Sequence, residues 1–169
     1  MLKKLSSRWI TTSTCRKDIS NMFYPLFINL KGKKALVVGG GRIGTKRALT
    51  LNKYGADVTV VSKEFSKELI KDHRIKLIKK DLLKDKIRLD RFFLVVTATN
   101  NPNVNDRISK LAKRNGILTN RADKHKEGDV VFPMTTKVKG HVLAFTTLGE
   151  NPKVSKRIKG LIENEFSRD

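Results

Sequence analysis

A glycine-rich turn is the segment of this chain best suited to chemistry. Gly39, Gly41 and Gly44 have the spacing G-x-G-x-x-G, directly after a short apolar run and before a segment of helical periodicity. In this motif the first glycine permits a tight turn, the second lets a pyrophosphate approach the backbone, and the third lets helix and strand pack closely. The N–H groups that follow, including those of Arg42 and Ile43, favour an anion at the start of the helix. The motif predicts dinucleotide binding; the alternative is a tight structural turn without a cofactor.

Two further segments are candidates for contact with the cofactor. Ser62 stands at the end of the second apolar run, where an acid usually holds the ribose hydroxyls, and Lys63 follows it. A serine can still donate to a ribose or a phosphate, so NAD is the expected cofactor, while the adjacent lysine leaves NADP open. Thr97, Ala98 and Thr99 end another apolar run, and their small side chains leave room for the adenosine or the nicotinamide ribose.

The elements that position these residues alternate along the chain. Short apolar runs predict strands over 35–38, 58–61, 75–78, 92–96 and 117–119. Helical spacing predicts helices over 42–54, from a Ser62 cap through Ile70, and over 101–114. Strands that alternate with helices predict a parallel sheet with right-handed crossovers. The expected class is therefore α/β, with a Rossmann-type parallel sheet over residues 22–124.

The pattern changes after Asp123. Two strands are expected over 130–136 and 142–147, joined through Lys139-Gly140, followed by a helix over 152–166. Residues 125–169 are thus predicted to form a small strand-strand-helix extension. Its strand pair would expose an apolar edge in a monomer, and pairing across a two-fold axis would cover that edge. We therefore expect a homodimer, with residues 125–169 as the dimerisation and substrate extension.

Composition restricts the partners and the compartment. The net charge is +21, which indicates either a lysine-rich genome or attraction to a polyanion. Nucleic acid is not the expected polyanion, because no basic-aromatic platform or groove-reading element is visible. Cys15 is the single cysteine, and the three histidines form no metal motif, so no metal is expected. No apolar stretch approaches the length of a membrane span, and a cytoplasmic protein is expected.

The first 21 residues are basic and rich in Ser and Thr. This composition is typical of an organelle transit peptide. The alternative is a wrongly assigned start, with Met22 as the true first residue. In either case residues 1–21 are expected to be a tail, disordered or absent from the native protein.

The order of these motifs resembles the precorrin-2 dehydrogenase family, whose module also forms the N-terminal part of siroheme synthases. The similar segments are 23–27, the triple glycine at 39–41, 98–101 with 104–105, 120–123, 132–133 and 149–152. The resemblance covers about residues 22–166. It implies an NAD-dependent oxidoreductase that converts precorrin-2 to sirohydrochlorin and dimerises through its C-terminal region.

The resemblance also implies roles for particular side chains. Asp123 matches the family's catalytic aspartate and is the candidate general base, with burial expected to raise its basicity; otherwise it is a turn aspartate bound to its own backbone. The substrate is a tetrapyrrole rimmed with acetates and propionates, for which a cationic cleft is suited. Residues expected to contact it are Asn120, Arg121, Lys124, His141, Thr146 and Thr147.

Three other functions compete with this one. A bifunctional dehydrogenase and ferrochelatase would use the same aspartate to take pyrrole protons. A non-catalytic, nucleotide-sensing Rossmann module would bind the dinucleotide without turnover, although such modules usually keep an acid where Ser62 stands. A nucleic-acid-binding protein rests on charge alone and predicts strongly salt-dependent binding.

Overall fold

The computed structural model describes residues 23–148 and 151–166, so the predicted tail at 1–21 lies outside the described residues. Five parallel strands form one sheet in the order β3-β2-β1-β4-β5. The strands are β1 (Lys34–Val38), β2 (Asp57–Ser62), β3 (Lys76–Lys79), β4 (Leu94–Thr97) and β5 (Leu118–Arg121). This strand order is that of the Rossmann fold and confirms the predicted class.

Three helices connect these strands: α1 (Arg42–Lys53), α2 (Lys67–Lys71) and α3 (Pro102–Arg114). Asn101 caps α3, since its side chain accepts from the N–H groups of Asn103 and Val104. The prediction that Ser62 caps the second helix is wrong. Ser62 is the last residue of β2, and the α2 cap is Ser66, whose Oγ accepts from the N–H of Leu69 at 3.3 Å.

Apolar side chains are buried on both faces of the sheet. Along β1 the residues alternate: Val37 packs into the cluster shared with α1 and α2, and Leu36 into the cluster shared with α3. Both are completely buried. Burial on two faces is why the central strands are continuous apolar runs rather than alternating ones. The two clusters hold the carboxyl ends of β1, β2, β4 and β5 at one edge.

The extension contains β6 (Met134–Val138), β7 (His141–Phe145) and α4 (Pro152–Phe166). As predicted, the two strands are joined through Lys139 and Gly140. They pair antiparallel, and both turn residues have positive φ. The predicted strand over 130–136 begins only at Met134, because the N–H groups of Asp129 and Val130 both bond to the carbonyl of Thr119. The predicted strand over 142–147 ends at Phe145.

Helix α4 packs on β6, where Thr136 donates a 2.7 Å hydrogen bond to Glu163. Within the described ranges, no helix is both long enough and apolar enough to cross a membrane.

Gly44 is required by the packing of α1 on β1. A Cβ at this position would collide with the carbonyl group of Gly39, and its next neighbour would be Val37. We therefore expect Gly44→Ala to lower the free energy of unfolding by about 1–3 kcal/mol, as overpacking does. Urea unfolding followed by circular dichroism measures this change.

Gly160 in α4 is the matched control. A Cβ at Gly160 meets nothing within 4 Å, so Gly160→Ala is expected to stabilise the protein by about 0.5–1 kcal/mol through helix propensity. Equal decreases in the free energy of unfolding in Gly44→Ala and Gly160→Ala would show that the effect is not steric.

Candidate dinucleotide and substrate site

Two cavities open side by side at the carboxyl edge of the sheet. The β2-side cavity, about 580 Å³, is lined by the glycine turn, Ser62 and the segment 80–83. The β5-side cavity, about 410 Å³, is lined by the start of α1, Asn105 and Asp123. Gly41 and residues 98–100 form a wall common to both. One elongated ligand could therefore pass over Gly41 and occupy both cavities.

The glycine turn has the geometry of an anion cradle. Gly39 has φ of 111°, and a Cβ there would lie 2.5 Å from the carbonyl oxygen of Ala98. A Cβ at Gly41 would meet nothing within 4 Å, so this position is open to the cavities. Gly41 is also the N-cap of α1 and supplies no side-chain cap.

The first turn of α1 leaves donors for an external anion. The first helical hydrogen bond runs from the N–H of Thr45 to the carbonyl of Gly41, at 2.8 Å. The N–H groups of Arg42, Ile43 and Gly44 precede it and have no helical acceptor. No acidic residue lies in this turn. These donors and the open backbone at Gly41 fit a pyrophosphate.

Gly40 has a role that the sequence analysis missed. A Cβ there would collide with the carbonyl group of Glu64, and the Gly40 carbonyl accepts from the N–H of Ser66 at 3.2 Å. The glycine thus lets the segment before α2 close against the turn. The signal for this contact was present in the sequence as a glycine at the x position of G-x-G, between Gly39 and Gly41.

An acid reaches the β2-side cavity from a different strand than expected. Asp81 follows β3 and lines this cavity together with Ser62. The N–H of Leu83 and the ammonium of Lys63, which is 3.0 Å away, lower the pKa of Asp81. This ionised carboxylate lines the cavity beside Ser62, together with Glu64, which follows the end of β2 by two residues. Sequence reasoning missed Asp81 because the motif places the acid after β2.

The wall between the cavities is fixed by Asn105. Its buried amide accepts from the N–H of Thr99 at 3.2 Å and from the Thr99 hydroxyl at 2.7 Å, and donates to the Thr99 carbonyl at 3.0 Å. Ala98 and Thr99 line both cavities. Thr97, also expected to contact the cofactor, is completely buried and lines neither.

Asp123 lies in the β5-side cavity as an ion pair with Arg121. The guanidinium donates two hydrogen bonds to the carboxylate, at 3.0 and 2.9 Å. Arg121 also bonds to Asp106 at 2.9 Å and to Glu127 at 3.1 Å, and only 2% of its side chain is exposed. The predicted contact between Arg121 and substrate is therefore replaced by contact with three carboxylates.

This pairing makes Asp123 a weak base. The hydrogen bonds from Arg121, and to a smaller extent the one from Asn105, lower the pKa of Asp123 to about 2 against the opposing effect of burial. The expectation that burial raises the basicity of this carboxylate is wrong, because the charged form is stabilised by a bidentate cation. Asp123 is a fixed anion at neutral pH.

The other residues expected to contact substrate lie outside both cavities. Asn120 is buried and donates to the carbonyl of Val130 at 2.7 Å. Lys124 pairs with Glu127 at 2.9 Å.

The remaining three lie in the extension. His141 begins β7 and is exposed. Thr146 and Thr147 accept from the N–H groups of Leu148 and Asn151 at 3.0 and 3.1 Å. Across residues 23–148 and 151–166, His, Cys, Asp and Glu side chains form no group of three suited to a metal.

Comparison with known proteins supports the cofactor and the family. The family model described as "Putative NAD(P)-binding" matches residues 26–134. Precorrin-2 dehydrogenase of Methanosarcina barkeri is 36% identical over 160 residues, covering 88% of this chain and 70% of that protein. The solved structure of SirC, precorrin-2 dehydrogenase, has a TM-score of 0.69 and 30% identity, covering 85% of this chain and 71% of that one.

Longer relatives match through one part of their length. The siroheme synthase of Baumannia cicadellinicola is 33% identical over 146 residues, which is 83% of this chain and 31% of that protein. The "Probable multifunctional siroheme biosynthesis protein HemA" of Ruminiclostridium josui is 36% identical over 137 residues, covering 80% of this chain and 27% of that protein. This chain thus spans less than a third of the length of each of these two relatives.

The open backbone at Gly41 generates a direct test of the cradle. Gly41→Val places a side chain where the pyrophosphate is expected, without touching other atoms of the protein within 4 Å of its Cβ. We expect NAD affinity to fall at least about tenfold while the melting temperature stays the same. Isothermal titration calorimetry measures the affinity, with Gly160→Ala as a control that leaves it unchanged. Normal NAD affinity in Gly41→Val would contradict the assignment.

Proposed function

Because the chain belongs to the precorrin-2 dehydrogenase family, we propose that it oxidises precorrin-2 to sirohydrochlorin with NAD, as a step of siroheme biosynthesis. One observation carries the proposal. The ionised carboxylate of Asp123 lines a cavity whose wall, at Gly41 and Thr99, is shared with the pyrophosphate cradle. A dinucleotide held by the glycine turn would reach this carboxylate with its reactive end.

The proposed reaction removes a hydride and a proton from the macrocycle. NAD, when bound, accepts the hydride. The glycine turn and the N–H groups of Arg42 and Ile43 would hold the pyrophosphate, and Asn105 keeps the Thr99 wall in place. These contacts would fix the position of the dinucleotide relative to the substrate carbon, and such orientation contributes a large share of the rate.

Asp123 acts on the charge that the hydride leaves behind. Loss of a hydride makes the macrocycle cationic, and a fixed anion at the site stabilises that cation. The cation is also a stronger acid than its precursor, so even a weakly basic carboxylate can take its proton and pass it to water. Asp123 is thus the candidate general base and, at the same time, an electrostatic stabiliser held by Arg121.

NAD is preferred over NADP in this proposal. The carboxylate of Asp81 lines the β2-side cavity, where the adenosine ribose would lie, and would repel a ribose phosphate. Lys63, the cation that left NADP open, is paired with this carboxylate at 3.0 Å.

A homodimer formed through the extension is also part of the proposal. The support is a set of exposed apolar side chains on β7 and α4: Val142, Val154, Ile158, Leu161 and Phe166. Leu161 is 61% exposed. A second copy would cover such a face.

The charge of Asp123 can be tested by a substitution of nearly equal size. Asp123→Asn keeps the size of the side chain but removes the charge and the proton acceptor, so kcat for precorrin-2 oxidation is expected to fall at least about 100-fold. The assay follows NADH absorbance. Asp90→Asn, an exposed carboxylate far from both cavities, is the control and should match the wild type. Full activity in Asp123→Asn would exclude both roles.

The carboxylate of Asp81 is expected to determine the choice between NAD and NADP. Asp81→Asn removes the anion and frees Lys63, so the ratio of the NADP Kd to the NAD Kd is expected to fall about tenfold. Fluorescence titration of both cofactors measures the ratio. Asp57→Asn, at the opposite end of β2, should not alter it. An unchanged ratio in Asp81→Asn would show that this carboxylate does not face the ribose.

The exposed apolar face of α4 is expected to form the dimer interface. Leu161→Glu places a charge on the exposed face of α4 and is expected to convert the dimer to a monomer in sedimentation velocity experiments. Ile70→Glu, at an equally exposed position on α2, is the control and should leave the dimer intact. A Leu161→Glu protein that still sediments as a dimer would place the interface elsewhere.

A further inference from the structure

Arg47 is a half-buried cation on α1. Its Nε is buried and has no hydrogen-bond acceptor among the residues that the structure describes. No carboxylate of the described residues forms an ion pair with it, in contrast to Arg121, which contacts three. Its guanidinium lies over the ring of Phe132, with 4.5 Å between the guanidinium carbon and the ring centroid.

This arrangement has an energetic cost that the fold does not offset with an acid. Burial lowers the pKa of Arg47, but an arginine side chain stays protonated in proteins. Removing a cation from water without a counter-charge is unfavourable, and stacking on one aromatic ring returns only part of that loss. An anion that enters from solvent would supply the missing partner.

The position of Arg47 indicates which anion would be its partner. Arg47 follows Ile43 by four residues, so the two side chains lie on the same face of α1, about 6 Å apart along its axis. Ile43 lines the β5-side cavity together with Asp123. Phe132 belongs to the segment that leaves β5, which Asn120 holds through the carbonyl of Val130. The side chain of Arg47 therefore reaches from α1 to this segment. It lies one helical turn from the cavity that contains Asp123.

We propose that Arg47 binds a peripheral carboxylate of the tetrapyrrole substrate while the macrocycle lies against Asp123. The inference rests on the function proposed above. The planar guanidinium, which lies over the Phe132 ring, has the geometry for bidentate contact with a carboxylate. Arg47 is accordingly a specificity residue that selects substrates with acidic arms, and it takes no part in the hydride or proton transfer.

The experiment compares Arg47→Met with Lys46→Met. Lys46 is the exposed neighbour on the same helix, so both variants lose one positive charge at almost the same place. We expect Arg47→Met to raise KM for precorrin-2 at least about tenfold, with kcat changed less than about twofold and NAD affinity unchanged. Lys46→Met should retain the wild-type KM. The melting temperature of Arg47→Met should not fall, because an unpaired buried cation is lost.

Several results would overturn the proposal. An unchanged KM in Arg47→Met, with or without a lower melting temperature, would make Arg47 a structural partner of Phe132 only. Equal increases in KM in both variants would assign the effect to general charge. A kcat loss without a KM change would also contradict a binding role.

A second probe separates this inference from the proposed reaction. Uroporphyrin is a stable tetrapyrrole with acetate and propionate arms, and its fluorescence reports binding to the NAD-loaded protein without turnover. If the wild type binds uroporphyrin but does not oxidise precorrin-2, the proposed function fails. In that case an approximately tenfold weaker uroporphyrin affinity in Arg47→Met alone would still support Arg47 as the carboxylate site. Equal uroporphyrin affinities in the wild type and Arg47→Met would reject it.

Discussion

The guanidinium of Arg121 is the contact on which the site depends. It lies in the core at the end of β5 and binds three carboxylates from different parts of the chain: Asp106 on α3, Asp123 after β5, and Glu127 in the following turn. A buried arginine with several carboxylates is stable only when their geometry is satisfied together. The network therefore ties the orientation of Asp123 to the helix and to the turn that leads into the extension.

The same network decides what Asp123 can do. An isolated carboxylate in an apolar cavity would be a better base, but also a protonated one for part of the time. Held by Arg121, Asp123 keeps its charge, and the glycine turn provides the opposite electrostatics nearby, with the N–H groups of α1 facing outward. The β5-side cavity is therefore lined both by donors that suit a pyrophosphate and by a fixed anion that suits a developing cation.

The sequence predicted the parts of this site that depend on local spacing. The cradle at Gly39, Gly41 and Gly44 follows from a motif of six residues, and the parallel sheet follows from the alternation of strands and helices. Contacts made by distant segments were not accessible, since Asp81 reaches its cavity from the end of β3. The contact of Asn105 with Thr99 is local, but it depends on how the loop before α3 folds back onto that helix. Arg121 was expected to face the substrate, because charge can be recognised in a sequence whereas burial in a network cannot.

The central claim is that one dinucleotide spans the two cavities, with its reactive end beside Asp123. A crystal structure of the protein with bound NAD tests this most directly. We expect adenosine between Ser62 and Asp81, pyrophosphate on the N–H groups after Gly41, and the nicotinamide ring in the β5-side cavity next to Asp123. A nicotinamide ring in the β2-side cavity, or a cofactor that does not contact the glycine turn, would contradict it.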